Sequence, residues 1–168
     1  MLFRNYIFPI LMSNAFRPVP KPISKTLISD FTHCFNPASI KKAGLKIGIM
    51  AINVEPKGLI IESNYKGLVF KNALQSAIDM STFLKKEKKC EVIICLSHLG
   101  ADTTKNEIND FEIAHKTRYI DVIIGGHSHS MITNNTVKNV AGKPIVIAQM
   151  AKSGLYLGKV ELELEKKK

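Results

Sequence analysis

The chain has 168 residues, the size of a single domain, and its hydrophobic content of 45% is ordinary for a globular protein. Residues 1–89 hold 14 basic and 5 acidic side chains and residues 90–168 hold 10 and 9, so the net charge of +10 lies almost entirely in the first half. The three cysteines lack a C-x-x-C spacing and no apolar run approaches the roughly 18 residues of a membrane span, which argues against a disulfide framework, a cysteine metal site and a membrane span.

The first half of the chain predicts strands joined by irregular segments. Tyr6–Ser13 is predicted to be a buried strand rather than part of a signal peptide, because its apolar patch is short and no clear cleavage site follows. This leaves the localisation open. Three prolines predict an irregular, extended crossing over Arg17–Lys25. Ser39–Lys42 and Leu45–Ile52 flank Ala43-Gly44 and predict a β-hairpin.

The second half alternates predicted helices and strands. Asn72 is expected to cap an amphipathic helix that runs to about Lys89, and a second amphipathic helix is expected over Asn106–Tyr119. The predicted strands are 91–96, 121–124, 145–148 and an alternating edge strand over 155–165. This order predicts an α/β fold whose sheet is mainly parallel, with antiparallel strands at its margins.

Histidines follow two of these strands directly. Ser97-His98-Leu99-Gly100 comes after one apolar run, and Gly125-Gly126-His127-Ser128-His129 comes after the next. Ligands bind at the carboxyl ends of strands in open α/β sheets, and imidazole is the commonest metal ligand. The pattern therefore predicts a metal site formed by His98, His127 and His129.

The spacing within the second motif allows more than one arrangement. In an extended loop His127 and His129 point to the same side and Ser128 points away, so both imidazoles can reach one metal or two neighbouring metals. The adjacent glycines would allow close backbone approach or positive φ angles. His33 and His115 lack this setting, and His115 is expected at the surface of a helix.

These motifs resemble the 5′-nucleotidase branch of the calcineurin-like metallophosphoesterases. Besides the two histidine motifs, Phe8–Ala15 is similar to the family's FPxLSAN strand and Gly44–Ile49 to its GxKIGxxG strand. Asn139–Gly142 and Pro144–Ala148 are similar to the segment after the histidine loop. The similarity covers nearly the whole chain. G-G-H-S-H after a strand is a specific motif, whereas S-H-L-G alone is weak. The resemblance implies the later part of a metallophosphoesterase-type αββα sandwich.

The same resemblance implies a site with two divalent metals, such as Zn, Mn, Mg or Ca. His98 and His127 would ligate one metal and His129 the other. The family's remaining ligands come from D-x-H, G-D and G-N-H-[ED] motifs, and none of these occurs in the 168 residues. The expectation is therefore a partial catalytic domain over residues 1–168, without the C-terminal nucleotide-binding domain of long members and with no assigned catalytic residue.

Three functions follow from this reading. The leading one is a phosphoester hydrolase of 5′-nucleotidase type that acts on a nucleotide or other phosphoester, and that is inactive alone or depends on a separately encoded N-terminal half. The alternative is a non-catalytic module that binds a metal or phosphate. The three histidines could also hold a single zinc with an open position for water, as three-histidine catalytic sites do. Nucleic-acid binding ranks last, because aromatic residues are few and no base-stacking motif interleaves with the lysines.

Overall fold

In a computed structural model, residues 15–16, 38–42, 44–66, 69–104 and 107–164 are described. Their strands are β1 (Ala15–Phe16), β2 (Ala38–Lys42), β3 (Leu45–Asn53), β4 (Val69–Phe70), β5 (Val92–His98), β6 (Val122–Ile124), β7 (Met131–Lys138) and β8 (Pro144–Met150). The helices are α1 (Ala73–Lys86) and α2 (Asp110–Lys116), and a 3-10 turn covers Glu62–Asn64. Neither helix of the described ranges is long and apolar enough to cross a membrane.

Six of the strands form one sheet in the order β2-β3-β5-β6-β8-β7. The inner pairs β3-β5, β5-β6 and β6-β8 are parallel, and the outer pairs β2-β3 and β7-β8 are antiparallel. This arrangement confirms the predicted α/β fold with a mainly parallel sheet and antiparallel margins. The strands β1 and β4 form a separate two-stranded antiparallel pair.

The core lies between the sheet and the two helices. Met50, Cys95, Ile123 and Ile147 stand in register across the four inner strands and are fully buried against the helices. Helix α1 begins where the Asn72 side chain accepts a hydrogen bond from Gln75 N at 2.9 Å, which satisfies a backbone donor of the first turn. The sheet's other face carries half-buried apolar side chains such as Ile94 and Leu96.

Several predicted boundaries were wrong. Helix α1 ends at Lys86 rather than near Lys89, which has a positive φ of 56°. Helix α2 begins only at Asp110, because Asn109 is the residue whose side chain caps it. Residues 155–164 form no strand, and sequence analysis missed β7, whose polar sequence MITNNTVK lacks a strand-like apolar pattern.

The hairpin of β2 and β3 is confirmed, with Gly44 in the left-handed region at φ 79°. His115 lies exposed on α2 as expected. The predicted strand over 6–13, the crossing over 17–25 and His33 fall outside the described residues.

Candidate metal centre

The two histidine motifs lie together at the carboxyl edge of the parallel strands. His98 is the last residue of β5 and stands in register with Asn53 at the end of β3. The next strand, β6, ends at Ile124, and Gly125 N then donates a hydrogen bond of 2.8 Å to Ala148 O of β8. Parallel pairing thus brings two loops that are distant in sequence to neighbouring positions.

The rings of His98 and His127 contact each other. Their centroids are 5.1 Å apart and their planes are tilted by 58°. Two imidazoles that ligate one tetrahedral zinc also hold their centroids about 5 Å apart, given zinc–nitrogen distances of about 2.0–2.1 Å. The spacing of the two rings therefore fits a shared metal ion, and imidazole nitrogens are common metal ligands.

The third predicted ligand, His129, does not complete a three-ligand cluster. Within the described ranges no group of three or more His, Cys, Asp or Glu side chains is placed to hold one metal ion. A single zinc held by His98, His127 and His129 is therefore not found in this part of the chain. The exposed His129 is nevertheless close enough for its charge to act on His98.

Burial and like charges favour a neutral His98. Partial burial is the larger cause that lowers the pKa of His98, and the charges of His127 and His129 lower it further. A neutral imidazole at pH 7 is the form that binds a metal.

The loop between β6 and β7 is not extended, contrary to the sequence-based expectation. His127 and His129 have φ angles of 73° and 55°, and Ser128 N donates a hydrogen bond of 3.0 Å to Gly126 O across a tight turn. Non-glycine residues in this left-handed region cost on the order of 1–3 kcal/mol each. Ser128 consequently points into the protein, where its hydroxyl is bonded.

The glycines of both histidine motifs allow close packing of the backbone, and of these glycines only Gly100 has a positive φ. A Cβ on Gly125 would overlap Asp110 Oδ2 and lie 3.0 Å from Gln149 Nε2, and a Cβ on Gly126 would lie 3.5 Å from His98 Nδ1. Gly100, with φ 88°, lets the loop after His98 pack directly on Ser128. The close approach of Gly100 to Ser128 holds the two histidine loops against each other, and Gly125 lies against Asp110 and Gln149.

A buried polar network beneath the loop was missed by the sequence analysis. Gln149 is 1% exposed. Its Oε1 accepts hydrogen bonds from Ser128 Oγ at 2.9 Å and from Ser130 N, and its Nε2 donates to Gly126 O at 2.8 Å. The available signal was a lone amide within the apolar run of β8.

Asp110 adds a buried carboxyl group to this region. It is the first residue of α2, it is 0% exposed, and neither of its oxygens has a well-aligned hydrogen-bond donor among the described residues. Burial raises the pKa of Asp110 to about 7, and the nearby Ser97 hydroxyl offsets only part of that effect. The Asp110 charge also contributes, after burial, to raising the pKa of the Cys95 thiol.

A cavity of about 260 Å³ opens beside His127. Asp102, Asn109 and Ser128 are among the other residues that line it. The cavity provides room next to His127 for a small ligand group.

Several curated proteins are similar to this chain in sequence. The chain is 31% identical over 124 residues to the trifunctional nucleotide phosphoesterase protein YfkN of Bacillus subtilis. The aligned region covers 74% of this chain and 8% of that protein. It is also 26% identical over 179 residues to a 5′-nucleotidase of Vibrio cholerae, and this alignment covers 93% of the chain and 30% of the relative. No family model matches the chain.

Solved structures share the fold. The crystal structure of a 5′-nucleotidase precursor from Thermus thermophilus superposes with a TM-score of 0.62 at 22% identity, over 83% of this chain and 27% of that one. The chain spans less than a third of the length of the curated relatives that it matches.

Proposed function

The chain belongs to the 5′-nucleotidase group of the calcineurin-like metallophosphoesterases, and from that premise we propose that it supplies the histidine ligands of a metal-dependent phosphoester hydrolase. The proposed substrate is a nucleotide or another phosphoester. In this proposal His98 and His127 hold one divalent metal, and His129 contributes to a second.

The observation that carries the proposal is the contact between the His98 and His127 rings. Their centroid distance of 5.1 Å suits two ligands of one ion, and both residues lie at the carboxyl edge of the parallel strands, where ligands bind in this fold class. Among the described residues His129 does not join the other two in a three-ligand group, which supports a role at a separate ion.

The chemistry assigned to this chain is mainly positioning. Bound divalent metals polarise a phosphoryl oxygen and clamp the attacking and leaving groups. His98 stays neutral at pH 7 because its pKa is lowered, and so it presents a lone pair rather than a positive charge. The cavity beside His127, which Asp102 and Glu107 also line, leaves room for a ligand group next to that histidine.

The proposal also includes a dependence on residues outside this sequence. The D-x-H, G-D and G-N-H-[ED] motifs of the family do not occur in the 168 residues. We propose that a segment or chain that bears those motifs must supply the remaining ligands. Residues of one catalytic unit act together, so their joint loss is expected to remove almost all activity.

Hydrolysis assays test this dependence. The purified chain is assayed with AMP and with a chromogenic phosphodiester, in Mn²⁺ or Zn²⁺, alone and together with a separately expressed segment that bears the three motifs. We expect background rates for the chain alone and activity for the combination. His127→Ala should abolish that activity. His115→Ala, which removes an exposed histidine that lies against Lys138 at the end of β7 away from the histidine loop, should leave it unchanged.

Two results would contradict the proposal. Turnover by the chain alone that disappears in His127→Ala would show that the missing motifs are not needed. A combination that binds metal at defined stoichiometry and still hydrolyses neither substrate would favour the alternative, a non-catalytic metal- or phosphate-binding module.

A further inference from the structure

Gln149 stands where a polar side chain is unexpected. It lies near the end of β8, on the face that carries the buried core residues Ile145 and Ile147, and it is itself 1% exposed. A buried amide is stabilising only when its donors and acceptors are bonded. The partners of this amide therefore indicate what it does.

The side-chain hydrogen bonds of Gln149 all go to the loop that carries His127 and His129. Nε2 donates to Gly126 O at 2.8 Å, just before the two histidines, and Oε1 accepts from Ser130 N just after them. Between these two points Oε1 also accepts from the Ser128 hydroxyl at 2.9 Å. One side chain thus fixes the loop before, between and after its histidines.

Ser128 extends this network to the loop that follows His98. Ala101 N donates to Ser128 Oγ at 3.0 Å, and Ser130 Oγ lies 2.9 Å from the same oxygen. A hydroxyl that donates to Gln149 can accept from both of these groups, so its hydrogen-bonding capacity is complete. The position of Gln149 is in this way connected to both histidine loops.

The loop needs such a restraint because its conformation is unfavourable by itself. His127 and His129 both have positive φ angles, which persist only where surrounding contacts impose them. The backbone bond from Ala151 N to Ser130 O, 2.9 Å long, anchors one end to the segment that follows β8. Within the described network, only the Gln149 side chain reaches the loop interior from β8.

We propose that Gln149, acting through Ser128, is a positioning residue that sets the separation of the His98 and His127 rings. The proposal rests on the proposed function in so far as that ring pair is the metal-binding pair. Partners that orient metal ligands typically change metal affinity by about 10–100-fold when they are replaced.

The test compares Gln149→Met, which keeps the side-chain length but makes none of these bonds, with the wild-type full chain. Ile145→Val, a conservative change on the same strand and away from the loop, is the matched control. Without metal, the measurements are the proton–proton NOE between the two rings and the amide exchange of Ala101 and Ser130. With metal, the measurement is the Zn²⁺ affinity by calorimetry.

For Gln149→Met we expect loss of the ring NOE, at least 10-fold faster exchange of both amides and at least 10-fold weaker Zn²⁺ binding. Ile145→Val should change none of these by more than about twofold. Ser128→Ala provides a second variant if Gln149→Met does not fold, and it should accelerate exchange of Ala101 and weaken the ring NOE.

The proposal is overturned if a folded Gln149→Met, or Ser128→Ala in its place, retains the NOE and the amide protection. Failure of the proposed function looks different: the wild type would bind Zn²⁺ no more tightly than His127→Ala. In that event the metal-free measurements still decide whether Gln149 positions the rings.

Discussion

Asp110→Asn should stabilise the protein at alkaline pH. Asp110 is 0% exposed, and its pKa is raised from 3.8 to about 7 by burial. Below pH 3.8 the carboxyl is protonated in both the folded and unfolded states. Between pH 3.8 and 7 only the unfolded state loses its proton, so stability falls as pH rises through this window and levels off above it.

The size of the effect follows from the shift. The pKa of Asp110 lies about three units higher in the folded than in the unfolded state, and each unit corresponds to about 1.4 kcal/mol. Ionisation of Asp110 therefore lowers the free energy of unfolding by about 4 kcal/mol above pH 7. This is an upper value, because the folded protein can relax around the charge. Asparagine has nearly the same shape and does not ionise. The free energy of unfolding of Asp110→Asn should therefore match the wild type near pH 4 and exceed it by up to about 4 kcal/mol at pH 8.

Urea unfolding followed by circular dichroism, at steps between pH 4 and pH 8.5, measures this difference. Asp79→Asn is the control, because Asp79 is an exposed aspartate on α1. Its difference from wild type should not grow with pH in the same window. A difference for Asp110→Asn that is independent of pH, or a wild type that is the more stable at pH 8, would refute the reasoning.

Three further predictions concern the same molecule. Gly125→Ala should destabilise the fold by about 1–3 kcal/mol, since the new methyl group would overlap the Asp110 carboxyl, and an unchanged urea midpoint would contradict this. Asn72→Ala should cost about 1 kcal/mol by removing the cap on Gln75 N, again by urea unfolding, and no loss would show that the cap is not stabilising. Zn²⁺ affinity, measured by calorimetry, should fall at least tenfold from pH 7.5 to pH 5.5 because protonated imidazoles do not bind metal, and constant affinity would point to other ligands.

Much of the fold was predictable because its strands are short apolar runs with clear ends. The hairpin around Gly44 and the strand that ends at His98 follow from local pattern alone. The polar edge strand β7 was not predictable in this way, since its pairing with β8 supplies what its own sequence lacks. The start of α2 depends on which asparagine caps it, and Asn109 does so with bonds to two backbone donors.

The candidate site also has one part that local sequence predicts and another part that distant residues determine. Strand ends and glycines in the sequence predict where the histidines gather, and the contact between His98 and His127 agrees with that expectation. The conformation of the loop was not predictable, because it depends on Gln149, which lies about twenty residues further along the chain. Local patterns report which strand a residue follows, but they do not report which buried side chain will hold it.

The measurement that tests the central claim most directly is imidazole ¹⁵N NMR during a Zn²⁺ titration of the full chain. The account predicts that the ring nitrogens of His98 and His127 shift together and saturate at the same metal concentration, while those of His115 do not move. His127→Ala should remove the shift of His98 as well. If His98 and His127 respond independently, or only exposed histidines such as His115 respond, the two rings do not share a metal ion and the central claim is wrong.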